Sequence, residues 1–237
     1  MNRMNVHTIA RTPALLLAAV LMYSAASAQS ESELTATEKL SIGLGYSTGA
    51  TISLDPATNW KVLPSIIHRF GVDATYPITD IIGATFGLGL DKRALEFRWF
   101  LDNNLWERRS VTYFTISPGV KFSAFHLGLN VGFPMSGMRT WQNGPDAREN
   151  AQELDPTADT LNVLLEPHIG AIIPVYDRDF AWFGLTIQAG YALNNMSERF
   201  IFSPGQEVVG DYRSTQAVSL RLGVTGQFGI PGTERQR

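Results

Sequence analysis

The chain reads as all-β, an eight-stranded antiparallel up-and-down transmembrane barrel. Three observations point there: an apolar period of two that recurs eight times, connections that alternate long and short, and glycines gathered on the face opposite the apolar one. Composition narrows the field first. Of 237 residues 44% are hydrophobic and only 17% charged, below the roughly 25% of an average soluble domain. No run of about 18 apolar residues exists to build a membrane helix. A net charge of -3 argues against a nucleic-acid partner, and four His with no Cys leave little for a zinc site. No cofactor and no metal are expected.

The first 28 residues are an address. Arg3 and Arg11 precede an apolar run ending at Met22, and Ala26-Ser27-Ala28 supplies the small residues a signal peptidase reads. Residues 1–28 are therefore expected to be a cleavable signal peptide and 29–38 a periplasmic lead. The barrel then occupies residues 39–230, with a tail at 231–237. With no cysteine, stability in that compartment must come from packing and hydrogen bonds.

Strand one is residues 40–52, where Leu40, Ile42, Leu44, Tyr46, Thr48, Ala50 and Ile52 alternate with Ser, Gly and Thr. The same parity carries Phe70 to Tyr76, Ile82 to Leu90, Phe114 to Phe122 and Phe125 to Phe133. It carries Val163 to Ile173, Phe183 to Tyr191 and Val218 to Phe228 as well. Between them, residues 55–65, 92–112, 134–162 and 192–217 form long loops one to four. Residues 77–81, 123–124 and 174–182 form shorter turns. Both termini fall on the short-turn side, the asymmetry of a bacterial outer-membrane barrel.

Pairing Phe122 with Phe125 sets Val120 opposite Leu127, Pro118 opposite Leu129 and Ile116 opposite Val131, all apolar. A second hairpin centred near Asn103 sets Leu90 against Ile116 and Phe86 against Val120. Pro118 and Pro167 lie inside strands, where each removes a ladder donor, so local bulges are expected there.

Volume decides which face is outside. Eight strands enclose only enough room for side chains, too little for the Leu, Ile, Val and Phe of the alternating set. Those side chains must point out, and 14 of the 21 glycines lie on the other face. A soluble lipocalin-like barrel would instead present that glycine face to water. No charge interrupts the apolar face. Tyr76, Phe122, Phe125, Phe183 and Phe228 toward the turns, and Tyr46, Phe70, Phe114, Phe133 and Tyr191 toward the loops, suit interfacial girdles.

The turn Tyr76-Pro77-Ile78-Thr79-Asp80 and the proline-bearing strand Tyr113-Phe114-Thr115-Ile116-Ser117-Pro118-Gly119-Val120-Lys121-Phe122 resemble the PorT-like outer-membrane β-barrel family. That family is related in architecture to the small OmpA and OmpX-type barrels. The resemblance covers about residues 39–230 and implies fold and outer-membrane residence rather than an activity. It also implies periplasmic chaperones and the barrel-assembly machinery as partners during biogenesis. Many such barrels end on an aromatic residue, whereas here Phe228 is followed by nine more residues.

The inward parity holds Arg69, Asp73, Asp91, Tyr113, Lys121, His126, Asn130, Glu166, His168, Gln188 and Arg221. Arg69, Glu166 and Arg221 belong to the loop half, while Lys121 and His126 face each other near the turns. Burial requires such groups to pair, so they are expected to plug the lumen. The same residues could line a narrow gated path for ions or small solutes. A lipid-modifying enzyme would use Glu166 and His168 with a serine, but no Gly-x-Ser-x-Gly occurs, and no catalytic residue is assigned. Gly43-x-Gly45-x-x-x-Gly49 lies along a strand without a following Gly-Lys-Ser/Thr, so it is no nucleotide loop.

Loop two gathers Lys92, Arg93, Arg98, Trp99, Trp106, Arg108 and Arg109, a set suited to lipopolysaccharide phosphates or to an interfacial collar. Loop three gathers Asp146, Glu149, Glu153, Asp155 and Asp159, where divalent cations could bridge to lipid. The expectation is a monomeric, non-enzymatic outer-membrane protein in contact with outer-membrane lipids, acting through its loops.

Overall fold

A computed structural model describes residues 40–54, 60–79, 81–99, 105–143, 148–157, 161–178, 181–194, 196 and 216–230. The signal, the lead, the tail and most of loop four lie outside these residues. Eight long strands close into one antiparallel barrel: β1 (Ser41–Ser53), β3 (Ser65–Pro77), β4 (Ile82–Trp99), β5 (Leu105–Phe122), β6 (Phe125–Asn143), β8 (Leu164–Arg178), β9 (Ala181–Tyr191) and β10 (Ala217–Gly229). Each pairs with the next, and β10 returns to β1 from Ser41↔Gly229 to Ser53↔Ala217. Two short strands, β2 (Trp60–Leu63) and β7 (Asn150–Leu154), pair with β4 and β6 on the long-connection side.

The alternating residues point outward. Ile42, Leu44, Phe70, Val72, Phe86, Leu88, Leu90, Leu127, Leu185, Leu222 and Val224 are all exposed, while Ser41, Thr51, Asp91, Thr115, Glu166, Ser219 and Arg221 between them are buried. On β4 the apolar face starts at Ile82 and gives way at Lys92. Ten steps of about 3.3 Å on a strand tilted about 40° rise roughly 25 Å, the height of a lipid-facing band. At the turn end Phe183 meets both Tyr176 and Phe228, with ring centroids 6.1 and 6.3 Å apart.

The β5–β6 hairpin keeps the expected register, with Phe122↔Phe125 and Ile116↔Val131. Its two-residue turn puts Ser123 at φ 53°, and neighbouring strands hold both ends. The Ser123 N–H donates to the Ile81 carbonyl at 2.7 Å, and the Ala124 carbonyl accepts the Ile172 N–H at 2.7 Å.

The β4–β5 hairpin corrects the sequence reading by two residues: Leu88 faces Ile116, Leu90 faces Phe114 and Ala84 faces Val120. A slip of two leaves every side chain on its own face, so apolar alternation cannot detect it. The bulges also fall elsewhere than at Pro118 and Pro167. They lie at Thr112/Tyr113, where β6 advances from Pro134 to Ser136, and at Pro174/Tyr176, where Val175 is extra. Pro118 and Pro167 are accommodated differently. Each is in register with one neighbour, Phe86 and Leu129 respectively. On the other side the β5–β6 register skips Ser117 and Pro118, and the β8–β9 register starts at His168, just past Pro167. The missing N–H thus falls where the ladder is already interrupted.

The seam between β1 and β10 depends on close backbone approach at Gly49. A Cβ there would run into the Leu220 carbonyl and lie 2.7 Å from the Arg221 Cα. Gly49→Ala must push the two backbones apart where the barrel closes. It is expected to cost about 1 to 3 kcal/mol, read as a lower denaturant midpoint for the folded, heat-modifiable form.

Candidate functional site

The lumen is layered. Across its loop half lies a cluster of two arginines and two carboxylates, all of them almost wholly buried. Arg93 donates from Nε and Nη2 to Asp91 Oδ2 at 3.1 and 2.9 Å, and from Nη2 to Glu166 Oε1 at 2.7 Å. Its Nη1 donates to Glu166 Oε2. Arg221 Nη2 reaches Asp91 Oδ2 at 2.8 Å and Glu166 Oε1 at 3.4 Å. Ser219 Oγ donates to Glu166 Oε2 at 2.9 Å, and Asn130 Nδ2 to Glu166 Oε1 at 2.9 Å. Asn130 Oδ1 accepts from Arg69 Nη1 at 3.2 Å and from Ser117 Oγ at 2.7 Å. Strands β3, β4, β5, β6, β8 and β10 are thereby tied through the middle of the barrel. Formal charge in the four-residue cluster is balanced, which burial at low dielectric demands.

Glycine makes room for this cluster. A Cβ on Gly190 of β9 would lie 2.5 Å from Glu166 Cδ, so the wall must be bare where the carboxylate lies against it. The glycine face seen in the sequence is the surface on which lumen side chains rest.

On the loop side of the cluster the interior turns apolar. Val111, Tyr113, Leu154, Leu161, Leu164 and Ala192 form one buried group, and Leu95, Phe97 and Ala217 another; Met196 touches both. On the turn side lies a polar cavity of about 120 Å³, lined among others by Arg69, Asp73, Lys121, His126, His168 and Gln188. His126 and His168 stand with ring centroids 5.6 Å apart, and Lys121 Nζ lies 5.0 Å from the Trp182 ring centre. Lys121 and His126 are cross-strand partners.

The residues assigned to the lumen from sequence thus fall into three groups. Arg69, Glu166 and Arg221 join the ion cluster or its hydrogen-bonded extension. Asp73, Lys121, His126, His168 and Gln188 line the cavity, and the Gln188 Nε2 and the Nδ1 atoms of both histidines have no hydrogen-bond partner among the described residues. Tyr113 belongs to the apolar layer.

Two residues assigned to loop two are placed differently. Arg93 is a lumen residue, and Arg109 is buried with its Nε 2.5 Å from Glu107 Oε1. The hairpin does not end at Leu90, where the outward apolar face stops. The β4–β5 ladder runs on to Arg98↔Trp106, so inward parity extends through Arg93, Leu95 and Phe97 on one strand and Val111, Arg109 and Glu107 on the other. Arg98, Trp106 and Arg108 take the outward parity; the Trp99 side chain lies outside the described residues. Loop three likewise contains β7, on which Glu153 is exposed; Glu149 and Asp155 beside it are exposed too, and Asp146 and Asp159 lie outside the described residues.

Sequence reasoning missed the Glu107–Arg139 pair, with Arg139 Nη2 2.9 Å from Glu107 Oε2. Its cause is the bulge at Pro134, which reverses the parity of β6 and turns Arg139 toward Glu107. Trp182, buried at the turn end of the lumen, was missed for a different reason: the sequence reading placed it in the 174–182 turn rather than on β9.

No protein-family model and no curated protein matches the chain. Solved structures similar to it include Neisserial surface protein A, at 6% identity and TM-score 0.39, with 81% of this chain and 97% of that one covered. The attachment invasion locus protein Ail of Yersinia pestis is similar at 11% identity and TM-score 0.37, covering 80% and 98%. The outer membrane protein OprG of Pseudomonas aeruginosa is similar at 12% and 0.34, covering 81% and 96%.

Proposed function

We propose that the chain is a non-enzymatic outer-membrane barrel of the PorT-like kind, exported by its N-terminal signal. In this reading its lumen is closed on the loop side, and it works as a structural or surface-interaction protein. The observation that carries it is the Arg93–Asp91–Glu166–Arg221 cluster stretched across the lumen beneath a layer of apolar side chains. Ions need a continuous wet path, and the paired charges and the apolar layer both stand in it. Glu166, the carboxylate an enzyme of this kind would use, is occupied by Arg93, Arg221, Asn130 and Ser219. What the barrel raises above the lipid belt is a sheet in the order β2–β4–β5–β6–β7, held on its inner face by Glu107 with Arg109 and Arg139. A stiff sheet presents a defined surface, which suits recognition better than a loose loop does.

The expected result is a protein that fractionates with outer membranes, migrates heat-modifiably on gels and shows no steady conductance in planar bilayers. A steady wild-type conductance that changes with Arg221→Ala would overturn the closed lumen. Recovery of the chain in the periplasmic extract would overturn the membrane reading.

A further inference from the structure

We infer that the outward face of β2, β4 and β5 just above the lipid belt is a docking site for the phosphorylated headgroup of an outer-leaflet glycolipid. This rests on the outer-membrane reading above and adds the ligand chemistry and the residues.

Parity sorts the cations of this region into two sets. Arg93, Arg109, Arg139 and Arg221 point inward, and each is paired with a buried carboxylate. The outward set is Lys61, Lys92, Arg98 and Arg108. Arg98 pairs across strands with Lys61 on one side and with Trp106 on the other, so the three share a face. Arg108 lies two residues from Trp106 on the same face, and Lys92 is the first outward position after Leu90, where the lipid belt ends. Among the described residues one carboxylate, Glu96, shares this surface. It stands opposite Arg108 in register, yet its Oε1 accepts Arg98 Nε at 3.0 Å and Nη2 at 2.9 Å. Among the described residues no ion pair joins Lys92 or Arg108 to a carboxylate, and Lys92, Arg98 and Arg108 against Glu96 leave a net charge of about +2 by formal count of these four side chains.

Position decides the occupant. Lys92 lies at the depth where acyl chain gives way to headgroup. Arg108 is four ladder steps farther out, about 13 Å along a tilted strand and roughly 10 Å along the membrane normal. A soluble anion would have no reason to prefer a site flush with the belt. A lipid whose chains lie against Phe86, Leu88 and Leu90 brings its headgroup to Lys92, and a second phosphate farther out meets Arg108. Trp106, fixed by its Nε1 donating to Gln142 Oε1 at 2.9 Å, gives this face the aromatic surface common at membrane interfaces.

The test refolds the full mature chain into phosphatidylcholine vesicles doped with bisphosphorylated lipid A or with the same lipid after phosphatase treatment. Lipid retained by the barrel is then weighed by native mass spectrometry. Wild type is expected to keep about tenfold more of the phosphorylated form, less so at high salt, and Lys92→Gln with Arg108→Gln to lose that preference. Equal retention of both lipids by wild type, or an undiminished preference in the folded double variant, would overturn the proposal. Should the double variant not fold, Glu96→Gln serves instead: removing the one carboxylate that the described residues place on this face should raise retention several-fold, and no rise counts against the site. A barrel present in outer membranes but indifferent to lipid phosphate defeats this inference alone; a chain found in the periplasm defeats the membrane reading itself.

Discussion

Glu166→Ala is expected to destabilise the folded barrel by about 3 to 5 kcal/mol, the cost of removing one partner from a buried ion cluster. Glu166 is 0% exposed and accepts from Arg93, Arg221, Asn130 and Ser219. Without it, Asp91 alone faces two buried guanidinium groups, and the Asn130 amide and the Ser219 hydroxyl each lose their acceptor. The measurement is denaturant unfolding in detergent micelles, followed by loss of heat-modifiable migration. A second variant separates uncompensated charge from lost packing. Arg93→Met together with Glu166→Leu removes one charge of each sign, leaves Arg221 with Asp91, and should recover most of the loss. A single-variant cost below about 1 kcal/mol would show that water reaches the cluster and that the lumen is not closed there.

The outward face of this barrel was legible because one rule, apolar and uncharged at every second residue, holds on every strand, as contact with lipid would require. Ile42, Phe70, Leu88, Leu127, Leu185 and Leu222 are exposed as the period of two requires, with no charge among them. That rule stops at the rim. Beyond Leu90 charge occurs on both faces of the ladder, so nothing in residue type marks Arg93 as inward and Lys92 as outward; only continued counting does. Counting itself fails at a bulge. The extra residue near Pro134 sends Arg139 to Glu107, and a proline that cannot donate to the ladder is a cue to irregularity but not to its size. Register within the β4–β5 hairpin was lost for a different reason: shifting Leu90 from Ile116 to Phe114 exchanges one outward-facing pair for another of similar apolar character. The candidate site was legible as a list of inward polar residues. Which of them meet depends on side-chain reach across the lumen, and Arg93 reaches Glu166 although the two strands are not neighbours.

Leu222→Arg is expected to lower folding stability in lipid bilayers by about 2 to 4 kcal/mol, whereas Thr112→Arg costs about 1 kcal/mol or less. Both positions face outward. Leu222 is 58% exposed and lies near the middle of the β10 apolar face, between Leu220 and Val224; Thr112 pairs with Lys92 at the edge of the belt. In water neither substitution would matter much, because an arginine on an exposed strand face is solvated and typically shifts stability by about 0.5 kcal/mol or less. The difference between the two variants therefore measures the solvent around the barrel rather than the barrel itself. At mid-belt the guanidinium must drag water into hydrocarbon or bend toward an interface some 12 Å away, half the height of the band. At the rim it is already among headgroups. Folding titrations of the two variants in phosphatidylcholine vesicles, set against wild type, give the gap directly. A gap of 2 kcal/mol or so places lipid against Leu222, and equal stabilities for the two variants would mean that the apolar face is covered by something other than a bilayer.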